Sequence, residues 1–402
     1  MKILYMAPVA NFESKDGGYG TGSSSILYVL NRMLKEKRID DLVILNTTKS
    51  IDVSLTTGKQ FDVGIVVGNP NSFSNKQVVD SFKYILQGCK KKYFVVLWET
   101  MPLPKKWDFL WNNDLFDVFL APSYFVGVQL SRVTSKPVYY QPYYFNVTEK
   151  NKIDIEKKQK ENKFTVLWMG QNTVRKGVNE AVISFSRAFD NVKDVQMVMK
   201  YHDLSQLETN IESTIKELAL INQSCKNARI YTLNKQLTPL DISNLYKSSS
   251  ILLFPSRGEG FGLPIGEAMS VGLPVIYTDW SSSSEVGESP CNYPLKYSID
   301  EAVSMYQYGY EIGLKYSFPN ISDTIKALHF YYNKWKEDKI KYYELTRKNI
   351  DIIKDRFGYE VTSDCLEHAF KEKEGFAPST VFDIKHWDRN MNQYNNIIKG
   401  EL

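Results

Sequence analysis

Two glutamates at a fixed spacing are the residues of this chain that most directly suggest chemistry. Glu259 and Glu267 stand eight positions apart in the segment ILLFPSRGEGFGLPIGEAMSVGLPVIYTDWSSSSE, which runs from Ile251 to Glu285. Carboxylates placed in a turn and in the helix behind it can accept hydrogen bonds from the hydroxyls of a ribose or another sugar. The alternative is a tight strand-to-helix connection in which Glu267 only compensates the helix dipole. The glycines and the proline around the pair favour a ligand site.

The turn around the first glutamate has the features of an anion site. A buried strand, Ile251–Phe254, runs into a turn with three alternating glycines, and Pro264 suits the first position of a short helix ending near Val271. The free N–H groups and the positive end of such a helix attract anions. Glycines let the backbone approach phosphate oxygens closely. We therefore expect an anionic, sugar-bearing ligand here.

A second loop supplies positive charge. Phe164–Met169 is a predicted strand, and Arg175 and Lys176 precede Gly177 in the loop behind it. A lysine and an arginine facing a helix N-terminus could bind an anionic ligand. A solvated charged loop is the alternative.

The two segments together resemble a known family. The context G-E-G-F-G-L-P-x-x-E-A-M-x-x-G-x-P-V is similar to the donor site of retaining GT-B glycosyltransferases of family four, the glycosyl transferases of group 1. The resemblance implies that Glu267 binds the ribose hydroxyls and that Glu259 lies near the transferred sugar. It also implies that backbone groups of the turn face the sugar or the diphosphate; these belong to Gly260, Phe261, Gly262 and Leu263.

The resemblance extends, more weakly, along most of the chain. Lys176 matches the lysine with which the family grips the diphosphate, whereas the family's arginine position falls on Gln171, so that Arg175 is the candidate substitute. Gly17 and Gly18 resemble the family's glycine loop near the diphosphate, and Asn234 falls where relatives contact the base. The similarity is weakest in the first 90 residues.

The N-terminal half departs from the family at one position. The first histidine of the chain is His202, whereas many relatives carry a functional histidine where Trp98 and Glu99 stand. Glu99 and Trp98 thereby become acceptor-side candidates. A strand-end carboxylate with only a structural role is an equally good interpretation of Glu99.

The alternation of short apolar runs with longer amphipathic stretches predicts an α/β protein with parallel sheets. Two such blocks, each opening with a strand and a glycine-containing loop, indicate two Rossmann-like domains facing across a cleft, the GT-B arrangement. We predict domains at 1–147 (acceptor side) and 148–375 (donor side), with a helical tail at 376–402 that packs back on the first. The chain from Ile299 onward is predicted to be mostly helical, and Asp16–Gly22 to be a loop before a helix from Ser25 to Lys35.

Composition excludes several classes. The net charge of +4 is too small for a nucleic-acid binder but compatible with an anionic ligand or with peripheral contact at a membrane. Four cysteines without a CxxC pair indicate a reducing, cytoplasmic location. The N-terminus lacks the features of a signal peptide. Asp-x-Asp, P-loop and G-x-S-x-G motifs are absent, which disfavours a metal-chelating transferase, an ATPase and a serine hydrolase.

The resemblance therefore implies a retaining, hexosyltransferase-type enzyme that uses a nucleotide-sugar co-substrate, such as a UDP- or GDP-sugar, and no cofactor. Since the sequence has no Asp-x-Asp motif, we expect it to work without a metal. The acceptor is left open among a glycan, a lipid-linked glycan, a protein and a small molecule. Two other functions stay open: a nucleotide-sugar epimerase of the same fold and a non-catalytic sugar or nucleotide binder.

Overall fold

The chain divides into two compact units. The computed structural model describes residues 1–8, 17–48, 52–148, 152–202, 211–221, 227–303, 311–371 and 384–399. The first unit comprises Met1–Phe145 and Arg356–Leu402, and the second comprises Asn146–Asp355. The chain thus returns to the first unit about twenty residues before residue 376, where the sequence placed the start of the tail.

The first unit is built on a parallel sheet. Among its described residues the strands are β1 (Lys2–Ala7), β2 (Asp41–Asn46), β3 (Phe61–Val67), β4 (Cys89–Val95), β5 (Val118–Ala121) and β6 (Val138–Tyr140). Their order across the sheet is β2-β1-β3-β4-β5-β6, and every neighbouring pair is parallel. Strand β1 is buried from Ile3 to Ala7, as expected for a strand covered on both faces.

Helices cover this sheet. They are α1 (Gly17–Lys35), α2 (Lys76–Leu86), α3 (Asp108–Trp111) and α4 (Tyr124–Val133). Helix α1 begins at Gly17, so the prediction of a loop up to Gly22 is wrong. A Cβ at Gly22 would lie 2.5 Å from the ring of Tyr143. At least this glycine therefore permits close packing of a helix and does not mark a loop.

Strand β4 also begins earlier than its apolar pattern predicts. The run Phe94–Leu97 was the expected strand, whereas the structure has Cys89–Val95. The lysines at its start reach polar partners: Lys90 Nζ lies 2.7 Å from a carboxylate oxygen of Asp62, and the backbone N–H of Lys92 donates to Asp117. These contacts let charged residues occupy a strand that hydrophobicity alone does not reveal.

The second unit has a parallel sheet of its own. Among its described residues the strands are β7 (Phe164–Gln171), β8 (Val195–His202), β9 (Ile230–Asn234), β10 (Ile251–Phe254), β11 (Val275–Thr278) and β12 (Tyr293–Leu295). Their order is β12-β11-β10-β7-β8-β9, again with parallel neighbours. The predicted α/β class, with two Rossmann-like parallel sheets, is confirmed.

An antiparallel hairpin follows this sheet where helix was expected. Strands β13 (Tyr297–Glu301) and β14 (Lys315–Pro319) pair in antiparallel register, so the prediction of a mostly helical chain from Ile299 onward is wrong for this segment. Among the described residues of this unit the helices are α5 (Ile155–Gln159), α6 (Val178–Ala188), α7 (Ile211–Ile221), α8 (Pro239–Ser248), α9 (Leu263–Ser270), α10 (Ser282–Gly287), α11 (Ile321–Glu337), α12 (Lys339–Thr346) and α13 (Lys348–Phe357), the last of which ends just inside the first unit.

Two final helices, α14 (Tyr359–Phe370) and α15 (Ile384–Lys399), belong to the first unit. Arg38 anchors α14 through Glu367, 2.6 Å away, and Asp364, 3.2 Å away. The ring of Tyr124 on α4 stacks on His386 of α15, with a centroid distance of 6.1 Å. None of the helices in the described ranges is long and apolar enough to cross a bilayer.

Candidate active site

Three of the predicted residues of the second unit, Arg175, Lys176 and Glu259, meet at the point where its strand order reverses. From β7 the chain moves outward through β8 and β9, then returns to β10 on the other side of β7. Open α/β sheets bind ligands beyond the carboxyl ends of their strands at such a switch point. Lys176 follows β7 and Glu259 follows β10, so the fold brings both loops to this edge.

An ion cluster occupies this position. Lys176 Nζ lies 2.7 Å from Glu259 Oε1, and Arg175 Nη1 lies 3.4 Å from the same oxygen. Glu259 is only 6% exposed. Burial opposes its ionisation, but the charges of Lys176 and Arg175 and hydrogen bonds from Lys176 and Ser256 outweigh burial and lower its pKa. The three side chains therefore carry a net charge of +1 at neutral pH, which suits an anionic ligand.

Three serines fix the position of Glu259. Ser256 Oγ donates to its carboxylate at 2.6 Å. The backbone N–H of Glu259 donates to Ser281 Oγ at 2.9 Å, and the backbone carbonyl of Glu259 accepts from Ser282 Oγ at 2.7 Å. All three serines are buried. The backbone and the carboxylate of Glu259 are thus both held by side chains.

Ser281 itself has an unusual backbone. Its φ of 56° and ψ of −150° lie in a region that is normally restricted to glycine, and strain of this kind accumulates at functional sites. Neither Ser281 nor Ser282 was predicted as a site residue from the sequence. The only signal for them was the run of four serines at the end of the segment that contains the two glutamates.

A glycine allows the two loops to touch. Gly177, with a φ of 68°, directly follows Lys176, and a Cβ added there would lie 2.0 Å from the carbonyl oxygen of Pro255. Across the same contact the backbone N–H of Arg257 donates to the carbonyl of Arg175 at 2.7 Å. Arg175 in turn donates through Nη1 to the carbonyl of Gly258 at 2.7 Å. Hydrogen bonds therefore join the turn that carries Arg175 and Lys176 to the loop that carries Glu259.

Arg257 connects these two loops to helix α6 and to strand β14. Its guanidinium pairs with Glu180 of α6, and both side chains are 11% exposed. It also donates to the hydroxyl of Tyr316 at 2.9 Å and lies 4.5 Å from the ring centroid of Phe318. The hairpin of β13 and β14, which the sequence did not predict, thus braces the loop that carries Glu259.

The second glutamate occupies the helix that begins behind the turn. Gly262, with a φ of 85° and a ψ of 44°, caps α9, and Pro264 stands in its first turn. The half-buried Glu267 accepts a hydrogen bond from the hydroxyl of Tyr246 at 3.0 Å. Burial, together with Glu267, raises the pKa of Tyr246 well above its usual value. Tyr246, on α8, was also missed by the sequence analysis.

The remaining predicted donor residues are distributed more widely. Gln171 ends β7, and Asn234 ends β9, where it is exposed. The turn residues Gly260 and Phe261 are buried, whereas Leu263 is partly exposed. The donor-side roles of these residues stay predictions.

The candidates in the first unit lie at the start of α1 and directly after β4. Gly17 and Gly18 are the first two residues of α1. Trp98 and Glu99 follow β4; Trp98 is 5% exposed, and its ring centroid lies 4.5 Å from that of Trp107. This packing gives Trp98 a core position, while Glu99 is half-buried. Their acceptor-side roles stay predictions.

Comparison with known proteins identifies the family of the segment that carries the site. Residues 149–288 match the family model described as "Glycosyl transferases group 1". The segment that carries Lys176, Glu259 and Glu267 is thus similar to the group 1 glycosyltransferases. Among curated proteins, the chain is similar to the serotype-specific mannosyltransferase WbdA of Escherichia coli, with 26% identity over 150 residues. That match covers 35% of this chain and 17% of the relative, so the chain spans less than a fifth of that protein's length.

Solved structures extend the likeness in fold beyond this segment. Sucrose-phosphate synthase from Thermosynechococcus elongatus aligns with a TM-score of 0.65 at 12% identity, covering 92% of this chain and 99% of the synthase. HepE from Anabaena, in complex with UDP-glucose, aligns with a TM-score of 0.58 at 14% identity over 93% of this chain and its own full length. These likenesses show a shared GT-B fold class.

Proposed function

We propose that this protein is a glycosyltransferase that moves a sugar from a nucleotide-sugar donor to an acceptor. The observation that carries the proposal is the buried cluster of Lys176, Arg175 and Glu259 at the switch point of the second sheet. It lies inside the segment that matches the group 1 family. The UDP-glucose complex of HepE, a structure of the same fold, makes a UDP-sugar a suitable first donor to test.

The proposed reaction breaks the bond between the anomeric carbon and the oxygen of the leaving phosphate. A new bond then forms from that carbon to an acceptor hydroxyl, whose proton passes to the departing phosphate. Lys176, Arg175 and the N-terminus of α9 neutralise the negative charge that develops on the diphosphate. Because these groups supply the positive charge, we propose that no metal is needed. We also propose that the transferred sugar is a hexose and that the anomeric configuration is retained.

The two glutamates have different proposed roles. Glu259 is held ionised by its cationic neighbours, which suits it to accept hydrogen bonds from the hydroxyls of the transferred sugar. Glu267, oriented by Tyr246, binds the ribose hydroxyls of the nucleotide. The backbone from Gly260 to Leu263 lies at the N-terminus of α9 and faces the diphosphate or the sugar. The acceptor is a glycan, a lipid-linked glycan, a protein or a small molecule. We also propose that the protein is located in the cytoplasm.

Product analysis tests the proposal. The protein is incubated with UDP-glucose, UDP-N-acetylglucosamine or GDP-mannose, a mixture of methyl glycosides as acceptors, and EDTA. We expect release of one nucleoside diphosphate with a matching glycosylated product, detected by mass spectrometry and lost in Glu259→Ala. Isomerised donor without a transferred product would indicate an epimerase instead. Absence of turnover from a folded sample that binds nucleotide would favour a binding protein.

A further inference from the structure

Lys200 is a buried lysine near the carboxyl end of β8, and none of the roles assigned above uses it. The residue is 8% exposed, and its Nζ donates to the backbone carbonyl of Tyr201 at 2.7 Å. Tyr201 is the last residue but one of β8, so the ammonium group lies at the edge of the sheet where open α/β sheets bind ligands. Burial lowers the pKa of Lys200, and groups whose pKa is perturbed by burial cluster at functional sites.

The alternation of side chains along β8 shows which face of the sheet carries Lys200. The side chain of Tyr201 points to the face covered by α7, where its hydroxyl donates to Glu212 at 2.7 Å. Because successive side chains of a strand point to opposite faces, Lys200 points to the other face. There it stands directly beside Met169 of β7 in the parallel register.

Side-chain contacts connect Met169 to the second glutamate of the site. The hydroxyl of Tyr246 lies 3.4 Å from Met169 Sδ and donates to Glu267 at 3.0 Å. Lys200 stands one strand beyond Met169, and neighbouring strands are about 4.8 Å apart. Lys200 therefore shares a face of the sheet with Met169, the residue that touches Tyr246, and lies on the side of β8.

The order of the parts of a nucleotide indicates which of them faces Lys200. The groups proposed to hold the diphosphate, Lys176, Arg175 and the N-terminus of α9, follow β7 and β10. Glu267 is proposed to bind the ribose. Since the ribose of a nucleotide lies between its diphosphate and its base, this arrangement leaves the side of β8 and β9 for the base.

We propose that Lys200 selects the base of the donor by donating a hydrogen bond to a carbonyl oxygen of that base, a proposal that rests on the glycosyltransferase function above. An ammonium group donates hydrogen bonds and accepts none. Uracil and guanine present a carbonyl oxygen, O4 or O6, where cytosine and adenine present an amino group. An amino group facing Lys200 would bring two donors together and leave both unpaired. The donor is therefore a uridine or guanosine diphosphate sugar.

Two pairs of nucleotides test this selection on the wild-type protein. The full chain is titrated calorimetrically, in the presence of EDTA, with UDP and CDP and with GDP and ADP. Within each pair the carbonyl group of one base is replaced by an amino group in the other. A hydrogen bond to a charged group is strong enough to change affinity about tenfold or more. We therefore expect UDP to bind at least about tenfold more tightly than CDP, or GDP at least about tenfold more tightly than ADP.

Substitution of Lys200 shows whether this residue causes the preference. Lys200→Met keeps the length and the apolar stem of the side chain, and Lys200→Leu is a second apolar variant. In both proteins the ratio of the two affinities should fall at least about fivefold, because the donor that distinguishes the bases is gone. Lys193→Met is the matched control, since Lys193 is exposed and precedes β8 at its other end. This control should keep the ratio of the wild type.

Each other outcome contradicts a different part of the account. A wild type that binds both members of each pair equally well would overturn the selection of the base. A ratio that is unchanged in the Lys200 variants would also overturn it, as would an equal loss of affinity for all four nucleotides, which would indicate a phosphate contact or a structural role. A folded wild type that binds none of the four would contradict the glycosyltransferase function itself, whereas binding without a preference would overturn only the role of Lys200.

Discussion

Lys176 Nζ and Glu259 Oε1 lie 2.7 Å apart, although 83 positions separate the two residues in the chain. Both side chains are almost completely buried, at 12% and 8% exposure. Removal of the partner of a buried charge costs about 3–5 kcal/mol when that charge is left uncompensated. We expect the lower end of this range here, because Arg175 stays 3.4 Å from the same oxygen. The pair is therefore expected to matter for stability as well as for the proposed chemistry.

Lys176→Met should show both effects. We expect kcat to fall about 10²- to 10³-fold, the loss typical of removing one group that stabilises developing charge. The free energy of unfolding at neutral pH should fall by about 3 kcal/mol. Lys193→Met, at an exposed position of the same unit, is the control and should change neither quantity. Steady-state kinetics and denaturant unfolding measure the two effects, and a fully active Lys176→Met enzyme would contradict the assignment.

The same variant should change how stability depends on pH. In the folded wild type the pKa of Glu259 is lowered. The ionised carboxylate therefore adds to the free energy of unfolding at any pH above the pKa that Glu259 has in the unfolded chain. This contribution is lost as the pH falls through the pKa that Glu259 has in the folded protein. Without Lys176, one of the two positive charges that offset burial is gone, and the pKa of Glu259 should rise. The difference in Tm between wild type and Lys176→Met should therefore shrink from about pH 7.5 to about pH 4.5. A difference that grows on acidification would show that the carboxylate is not the group affected.

Local patterns explain what the sequence could predict of this site. The strand Ile251–Phe254 was predicted with its observed bounds, and the helix expected at Pro264–Val271 spans Leu263–Ser270. A buried apolar run, glycines and a proline specify these elements within a few residues. The carboxylates of Glu259 and Glu267 could be singled out because they lie within the same short segment.

Long-range contacts explain what the sequence could not predict. The hydrogen bond from Glu259 to Ser281 spans 22 positions, and that from Tyr246 to Glu267 spans 21; neither pairing leaves a periodic pattern. The hairpin that braces Arg257 includes the half-exposed strand Tyr297–Glu301, which has a weak apolar signal. Such partners are chosen by tertiary packing, which local propensity does not encode.

The backbone of Ser281 yields a matched pair of variants. Ser281→Ala and Ser281→Gly both remove the hydroxyl that accepts the N–H of Glu259, so both should lower kcat. Only glycine adopts the observed φ of 56° without strain, and Ser281→Gly should therefore be more stable than Ser281→Ala by about 1 kcal/mol. Thermal unfolding and kinetics of the two proteins check this. Equal stability would argue against a strained backbone at this position.

Tyr246→Phe tests how Glu267 is oriented. The change removes the hydroxyl that donates to Glu267 at 3.0 Å and keeps the buried ring. A hydrogen bond of this kind contributes about 0.5–1.5 kcal/mol, so nucleotide affinity should weaken roughly two- to tenfold. Tyr231→Phe, at a tyrosine that is 54% exposed, should leave affinity unchanged. Calorimetric titration with the nucleotide distinguishes the two, and unchanged affinity in Tyr246→Phe would contradict the orienting role.

Gly177→Ala tests the contact between the two loops. Its Cβ would lie 2.0 Å from the carbonyl oxygen of Pro255, so the loops must separate and the spacing of Lys176 and Glu259 must change. We expect a loss of stability of at least about 1 kcal/mol together with a loss of activity. Gly68→Ala, whose Cβ meets open space, is the control and should retain the stability of the wild type. A stable and active Gly177→Ala protein would show that the loops need not touch.

Nucleotide binding is the most direct test of the central claim, that the site behind β7 and β10 holds a nucleotide-activated sugar. Wild type, Glu267→Ala and Lys176→Met are titrated calorimetrically with UDP, GDP and ADP in the presence of EDTA. The account predicts that at least one nucleoside diphosphate binds the wild type without a divalent metal and binds each variant at least about tenfold more weakly, a difference of about 1.4 kcal/mol. If a folded wild-type protein bound none of them, or if all three proteins bound equally well, the claim would be contradicted.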